Sequence, residues 1–256
     1  MRRRLFAILG LICVTVPSLS LAAERPHLVI ISAEDEYQTE TTLPIFAKEH
    51  LEKAFRVTFV FGVEDNRNTI PGLDVLKDAD AVLVSVRRRV LPAEQLHKIR
   101  DFISTGKPVI GIRTASHAFC LRNMEPPEGL TDWPEFDEQV FGGHYTNHHG
   151  NKLKSTIRFV AANKDHPILS DIPRDDFVAG GSLYKPSPLE PGATVLLVGQ
   201  VEGADPEPVA WTFQRADGGQ SFYTSLGHVD DFKNPQFQRL LFNGIRWALG
   251  TRSDES

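Results

Sequence analysis

Pro108-Val109-Ile110-Gly111-Ile112, running directly into Arg113-Thr114-Ala115-Ser116-His117, is the stretch whose reading decides the fold. A short apolar run of this kind suits a strand buried on both faces of a sheet, and the polar residues after it mark where the strand leaves the core. The same pattern recurs upstream in His27-Leu28-Val29-Ile30-Ile31, in Val57-Thr58-Phe59-Val60-Phe61 and in Asp80-Ala81-Val82-Leu83-Val84-Ser85-Val86. Between the first two, Leu43, Phe46, Ala47, His50, Leu51 and Ala54 recur at helical spacing and predict an amphipathic helix from near Thr41 to before Arg56. Pro92 opens another helix at its first turn, with Leu96, Ile99 and Ile103 as its stripe and Gly106 as its stop. Strands separated by helices of this length imply right-handed crossovers. The predicted fold is therefore α/β, a mostly parallel doubly wound sheet with helices on both faces.

Towards the C-terminus the pattern changes. Residues 156–161, 194–201 and 209–213 read as strands. Asp217-Gly218-Gly219 is a tight-turn signal joining Trp211-Thr212-Phe213 to Ser221-Phe222-Tyr223-Thr224 in an antiparallel hairpin. Phe237, Leu240, Leu241, Ile245 and Ala248 form one face of a last helix, stopped at Gly250. No repeat, low-complexity tract or linker interrupts residues 24–250, which read as one domain.

The 256 residues carry 28 Lys+Arg against 33 Asp+Glu, a formal charge of −5, with 41% hydrophobic and 24% charged residues. That balance excludes a disordered chain, a collagen-like repeat and a polytopic membrane protein. It also lacks the basic excess of a dedicated nucleic-acid binder. Arg2-Arg3-Arg4, an apolar run over 5–16 and then Pro17-Ser18-Leu19-Ser20-Leu21-Ala22 have the order of a secretory signal peptide over residues 1–22. The expectation is export, to the periplasm or the extracellular space, with no stable membrane span after cleavage. Loss of that segment removes three arginines and no acid, so the charge becomes 25 − 33 = −8, and Cys120 is left as the sole cysteine. One thiol makes no internal disulfide, and a lone cysteine of this kind reads first as a small buried hydrophobe.

In a parallel α/β sheet, ligands gather at the carboxyl ends of the strands. The first strand delivers Ser32 to Tyr37 there, with Glu34 a candidate acid and Tyr37 a candidate substrate contact. The third delivers Arg87-Arg88-Arg89, the fourth Arg113 to His117, and the last strand Ser225 to Asp231. The irregular stretch 123–152 adds Gly142-Gly143-His144-Tyr145-Thr146-Asn147-His148-His149-Gly150. Five of the nine histidines, His117, His144, His148, His149 and His228, fall in these segments. His228 with Asp230 two residues on has the form of a general base held by a carboxylate. His144 and His148 stand at the i, i+4 spacing of metal ligands, and with His117 they are the candidates for a divalent metal such as zinc. Each feature also has a plainer reading. Glu34-Asp35-Glu36 can cap the next helix, the arginine run can be an ion-paired rim, and His-x-x-x-His in a glycine-rich loop carries little spacing information.

Gly111-Ile112-Arg113-Thr114-Ala115-Ser116-His117, Gly142-Gly143-His144-Tyr145, Pro208-Val209-Ala210-Trp211-Thr212 and Tyr223-Thr224-Ser225-Leu226-Gly227-His228, with the helix from Phe237 to Trp247, resemble the ThuA-like (trehalose-utilisation) family. The resemblance spans nearly the whole mature chain and implies the fold of class I glutamine amidotransferases. In those enzymes a Gly-x-Cys-x-Gly turn carries a nucleophile and a His-x-Glu pair serves it. Here Arg113 occupies the nucleophile's place, while His228-Val229-Asp230 matches the His-x-acid pair. Thioester chemistry needs a thiolate, so a glutaminase is disfavoured. The resemblance implies a small carbohydrate substrate, a disaccharide or a keto-glycoside. The residues suit proton abstraction beside a carbonyl, with His228 as base, Asp230 as orienter, Arg113 or a metal stabilising the enediolate, and His117 as acid or ligand. Arg87, Ser116 and Tyr145 join Tyr37 as substrate contacts. The alternative is a non-catalytic carbohydrate-binding or interaction protein, with Tyr37, Trp133, Tyr145 and Tyr184 as stacking surfaces. Homo-oligomerisation is left open.

Overall fold

The strand His27–Ala33 (β1) is buried along all seven residues, because sheet neighbours flank it on both sides and side chains cover both faces. The computed structural model describes residues 24–251, so the expected signal segment lies outside the described residues. Strands β2 (Arg56–Phe61), β3 (Ala81–Val86) and β4 (Val109–Ile112) run parallel to β1, as the apolar runs predict. Beyond them lie β5 (Thr156–Phe159), β6 (Phe177–Val178), β7 (Ala193–Gln200), β8 (Glu207–Gln214) and β9 (Gln220–Thr224). Together they form one nine-stranded sheet in the order β2-β1-β3-β4-β9-β8-β7-β5-β6.

β9 is parallel to β4 and antiparallel to β8, so it joins two halves of different character. The hairpin signalled by Asp217-Gly218-Gly219 is present, and the antiparallel half continues past it through β7, β5 and β6. The sheet is thus mixed, and β6, only two residues long, carries no periodicity that the sequence could have shown.

Alternation along the strands sorts the core onto two faces. Leu28, Ile30, Leu83, Ile110, Ile112 and Phe222 meet Leu43 and Phe46 of α1 (Thr39–Phe46) and Phe237, Leu241 and Ile245 of α3 (Pro235–Ala248). Val29, Ile31, Val82, Val84, Val109 and Tyr223 face Leu96, Ile99 and Ile103 of α2 (Ala93–Ser104). Pro44 lies inside α1, and the helix passes into a wider turn over Ala47–Leu51. The helix starts at Thr39, two residues before the expected Thr41, because the Glu34 carboxylate accepts the Thr39 N–H at 3.0 Å. No helix among the described residues is long and apolar enough to cross a membrane.

At Gly244 a Cβ would lie 2.3 Å from the Phe222 ring, which sits fully buried beneath α3. Gly244→Ala pits about 1 kcal/mol of gained helix propensity against overpacking that costs about 1–3 kcal/mol. The expected outcome is a lower urea midpoint with an unchanged denaturant slope. A higher midpoint would show that α3 is not seated on Phe222 this closely.

Candidate functional site

β4 ends at Ile112, and the chain turns at once through Arg113, whose φ of 46° is left-handed. The Tyr223 hydroxyl donates to the Arg113 carbonyl at 2.6 Å and pins that turn. The Arg113 guanidinium is 2% exposed and points back under the loops. Its Nη1 donates to the carbonyls of Ser182 (2.9 Å) and Ser225 (2.8 Å), and Nη2 reaches the hydroxyls of Ser182 (3.2 Å) and Tyr37 (3.3 Å). The Tyr37 and Tyr184 rings lie 4.7 and 4.3 Å from its central carbon. Gly181 completes the fit, because a Cβ there would fall 2.4 Å from Nη2. Arg113, at the end of β4, therefore knits together the segments after β1, β6 and β9.

From this guanidinium a row of aromatic rings runs outward. Tyr184 packs against Tyr145 at 4.7 Å, and Tyr145 stacks on His117 at 4.4 Å and 22°. On the other side Tyr37 meets His228 edge-on at 5.6 Å. Two of the expected imidazoles thus flank Arg113 at a remove, each through tyrosine. His148 sits 6.4 Å from Tyr184, on the two-stranded ribbon that Asn147–His148 forms with Tyr184–Lys185.

Beyond His117 opens a cavity of about 340 Å³, walled by Arg88, Ser116, His117, Cys120, Arg122, Asp137, His144 and Tyr145 among others. This volume falls at the small end of ligand sites. His117 donates to or accepts from Ser116 Oγ through Nδ1 at 3.2 Å, and Nε2 has no protein partner among the described residues. Burial, and then the charges of Arg88, Arg87, Arg113 and Arg122, push the His117 pKa well below the ordinary imidazole value. The ring is neutral at pH 7. Asp137 is buried opposite, its Oδ2 accepting the Tyr145 N–H at 2.8 Å and its Oδ1 without a partner. Burial raises its carboxyl to about 7, against the pull of that N–H and of His144. The Gly142-Gly143 pair is explained here. Gly142 is left-handed at φ 67° with a Phe213 ring where a Cβ would go, and a Cβ on Gly143 would lie 2.9 Å from the Asp137 carboxyl.

The expected site residues divide between these regions. His117, Ser116, Tyr145 and His144 line the cavity, whereas Arg113, Tyr37 and His228 form the adjoining cluster. Glu34 takes neither place. Its carboxylate accepts the N–H groups of Glu36, Tyr37 and Thr39 and the Thr39 hydroxyl, so the helix-capping reading describes it. His228 Nδ1 accepts the Asp230 N–H at 3.2 Å and lies 3.6 Å from the Asp230 carboxylate, beyond hydrogen-bond reach. The Asp230 side chain is 56% exposed and is held by Lys233 at 2.7 Å, whose hydrogen bond lowers its pKa. The buried acid is its neighbour Asp231, which accepts the N–H groups of Gly180, Gly227 and His228. A neutral His228 therefore carries its proton on Nε2, as a donor and not as a base.

The arginine run divides three ways. Arg87 pairs with Glu36 at 2.6 Å, Arg89 is buried on the Ala33 and Arg67 carbonyls and on Asp35, and Arg88 alone faces the cavity. His144 donates to Glu190 at 2.7 Å, and His148 Nδ1 donates to the His149 carbonyl at 2.7 Å. With His117 turned to Ser116, the three expected metal ligands do not converge, and no group of three His, Cys, Asp or Glu able to hold a metal occurs among the described residues. Trp133 is buried under Arg100 and offers no stacking face. Cys120 is a half-exposed wall residue whose thiol pKa burial raises. Arg122 and Asp137 carry no motif of their own. The only signal for Asp137 was its place just before Gly142-Gly143 in a long irregular stretch.

A mixed nine-stranded α/β sheet, a buried arginine at the turn after β4 and a polar cavity beyond that turn define the class of protein. The family model described as ThuA, trehalose utilisation, matches residues 28–248, and the chain belongs to that family. Among solved structures it is similar to a ThuA-like protein from Bacteroides uniformis, with a TM-score of 0.64, 17% identity, and coverage of 91% of this chain and 95% of that one. A ThuA-like protein from Parabacteroides merdae gives a TM-score of 0.62 at 16% identity, covering 91% and 93%. At those identities the likeness shows the fold. No curated protein gives a significant sequence match.

The raised Asp137 pKa has a definite sign in stability. The folded chain holds a proton up to about pH 7 that the unfolded chain releases near 3.8. Its contribution is full below the unfolded value and is lost as pH rises through the folded one. Between pH 5 and 8, at 1.36 kcal/mol per unit up to the folded value, that loss is about 2.5 kcal/mol. Asp137→Asn keeps an oxygen for the Tyr145 N–H and removes the decline. Urea denaturation at pH 5 and pH 8 should show the wild type losing about that much relative to the variant, and parallel pH profiles would contradict the burial.

Proposed function

We propose that this ThuA-family protein is a sugar-processing enzyme that acts on a small keto-sugar or keto-glycoside by acid–base chemistry in the His117 cavity. The observation that carries the proposal is an imidazole kept neutral first by its burial and then by nearby guanidiniums, with its Nε2 unpaired beside a sugar-sized space. Such a ring accepts a proton without first losing one, and the same positive field stabilises the oxygen that becomes negative. On a keto-glycoside, Nε2 takes the proton from the carbon beside the carbonyl and the electron pair forms an enediolate. The pair then returns to expel the glycosidic oxygen, a carbon–carbon double bond forms, and the imidazolium protonates the leaving oxygen. An imidazolium among arginines is a strong acid, so the return of the proton is favourable. Tyr145, stacked on the ring, fixes its plane. The carbohydrate class is supported by the family's description. Export rests on residues 1–22 and belongs to the same proposal.

His228 is left outside the chemistry, since its accepting nitrogen is already occupied by the Asp230 N–H. The mature protein is assayed against 3-keto-glycosides for release of the leaving sugar, with trehalose, which has no carbonyl, as the control that does not react. His117→Gln is expected to lower kcat by about 10²–10⁴, the usual worth of a general base, with an unchanged melting temperature, and His228→Gln to retain most activity. Full activity in His117→Gln would overturn the proposal, and sugar binding without turnover by the wild type would favour a binding protein.

A further inference from the structure

We propose that the sugar taken by this cavity carries an anionic group, a carboxylate or a phosphate, received by Arg88 and Arg122. The inference rests on the reading of the cavity as a sugar site and deepens it.

Arg88 differs from the arginines beside it. Arg87 and Arg89 are matched to Glu36 and Asp35, at 2.6 and 2.8 Å, while Arg88 has no carboxylate in ion-pair range among the described residues. Its backbone is left-handed at φ 48°, an uncommon state for a residue with a Cβ. The Arg88 N–H donates to the His117 carbonyl at 3.0 Å and holds that turn against the cavity wall. The half-buried side chain is presented to the open space. Arg122 reaches the same space from the segment after Cys120, exposed and also without an acidic partner. Arg67, Arg87 and Arg89 beside this cavity are matched to Asp35 and Glu36, so two guanidiniums left unmatched around the one open space mark a missing anion.

The acids nearby do not fill that role. Asp137 is buried with its Oδ2 on the Tyr145 N–H, its carboxyl raised to about 7 by burial, and the His144 imidazole is matched to Glu190. Glu138 is exposed on the rim. Burial disfavours the charged form of Arg88, and Arg122 is among the charges that add to this. An anion between the two removes that repulsion and forms charge-assisted, bidentate hydrogen bonds, the geometry for which guanidinium is suited. A carboxylate and a phosphate present the same paired oxygens, so both belong to the inference.

Calorimetric titration of the mature protein with glucose, glucuronate, glucose 6-phosphate and inorganic phosphate decides it. Expected is at least tenfold tighter binding of one of the charged sugars than of glucose, weakened several-fold in 0.5 M NaCl and at least tenfold by Arg122→Gln. Arg122 is exposed, so its loss leaves folding intact, and Arg88→Gln gives the same loss. The preferred charged sugar should also protect Cys120, in the same wall, from alkylation by iodoacetamide. Which of the two binds distinguishes carboxylate from phosphate. Equal binding of glucose and both charged sugars overturns the inference and leaves the sugar site standing. Charged-sugar binding that neither variant weakens also overturns it. Binding of inorganic phosphate with no sugar overturns it together with the sugar reading.

Discussion

A guanidinium buried without a carboxylate in contact is the constraint around which this sheet edge is built. Taking such an ion out of water costs several kcal/mol unless its donors are met. The two terminal nitrogens of Arg113 are met by two carbonyls and two hydroxyls, and its plane by two aromatic faces, drawn from the segments after β1, β6 and β9, while Nε stays buried without a partner among the described residues. The surrounding chain shows the consequence. Gly181 has no Cβ because the guanidinium occupies the space, Gly227 adopts φ 121° beside the Arg113 stem, and Asp231 spends its carboxylate on the loop N–H groups rather than on the arginine. Where an amidotransferase-like turn would present a thiol to solvent, this one turns a charged side chain inward and uses it as a keystone.

With the turn residue Arg113 committed to structure, the groups left free lie further out, on the other side of the Tyr184–Tyr145 pair. His117 combines a place at the cavity, neutrality and an unoccupied nitrogen, and Arg88 and Arg122, which add to the effect of burial on it, make the cavity attractive to negative charge. In the proposed reading the same electrostatic arrangement serves both the acid–base step and the recognition of an anionic sugar.

Much of this was legible in the sequence, and the boundary has a physical cause. The four parallel strands were visible because a strand covered on both faces must be apolar throughout, and the hairpin because its turn needs glycine. Short pieces such as Phe177–Val178 were invisible, since two residues have no period. For the site, strand ends correctly placed Arg113, His117 and Tyr37 at one edge, because backbone direction determines that. Spacing failed where a side chain had a choice of partners. His228 and Asp230 are two residues apart in the right order, but Lys233 takes the carboxylate and the next residue, Asp231, is the one turned inward. Glu34 could not be told from a catalytic acid until its oxygens were seen to be filled by Glu36, Tyr37 and Thr39. Asp137 and Arg122 had no signature, because loop residues meet through the path of the chain and not through any repeat.

Burial, reinforced by nearby guanidiniums, holds the His117 imidazole neutral with an unpaired nitrogen at the cavity. The most direct test is the pH titration of that imidazole by NMR in the unliganded mature protein, assigned by loss of the signal in His117→Gln. Chemical shifts that stay those of a neutral imidazole from pH 8 down to 5.5 are the predicted result. A protonation midpoint at or above the ordinary imidazole value of about 6.5 would contradict the account.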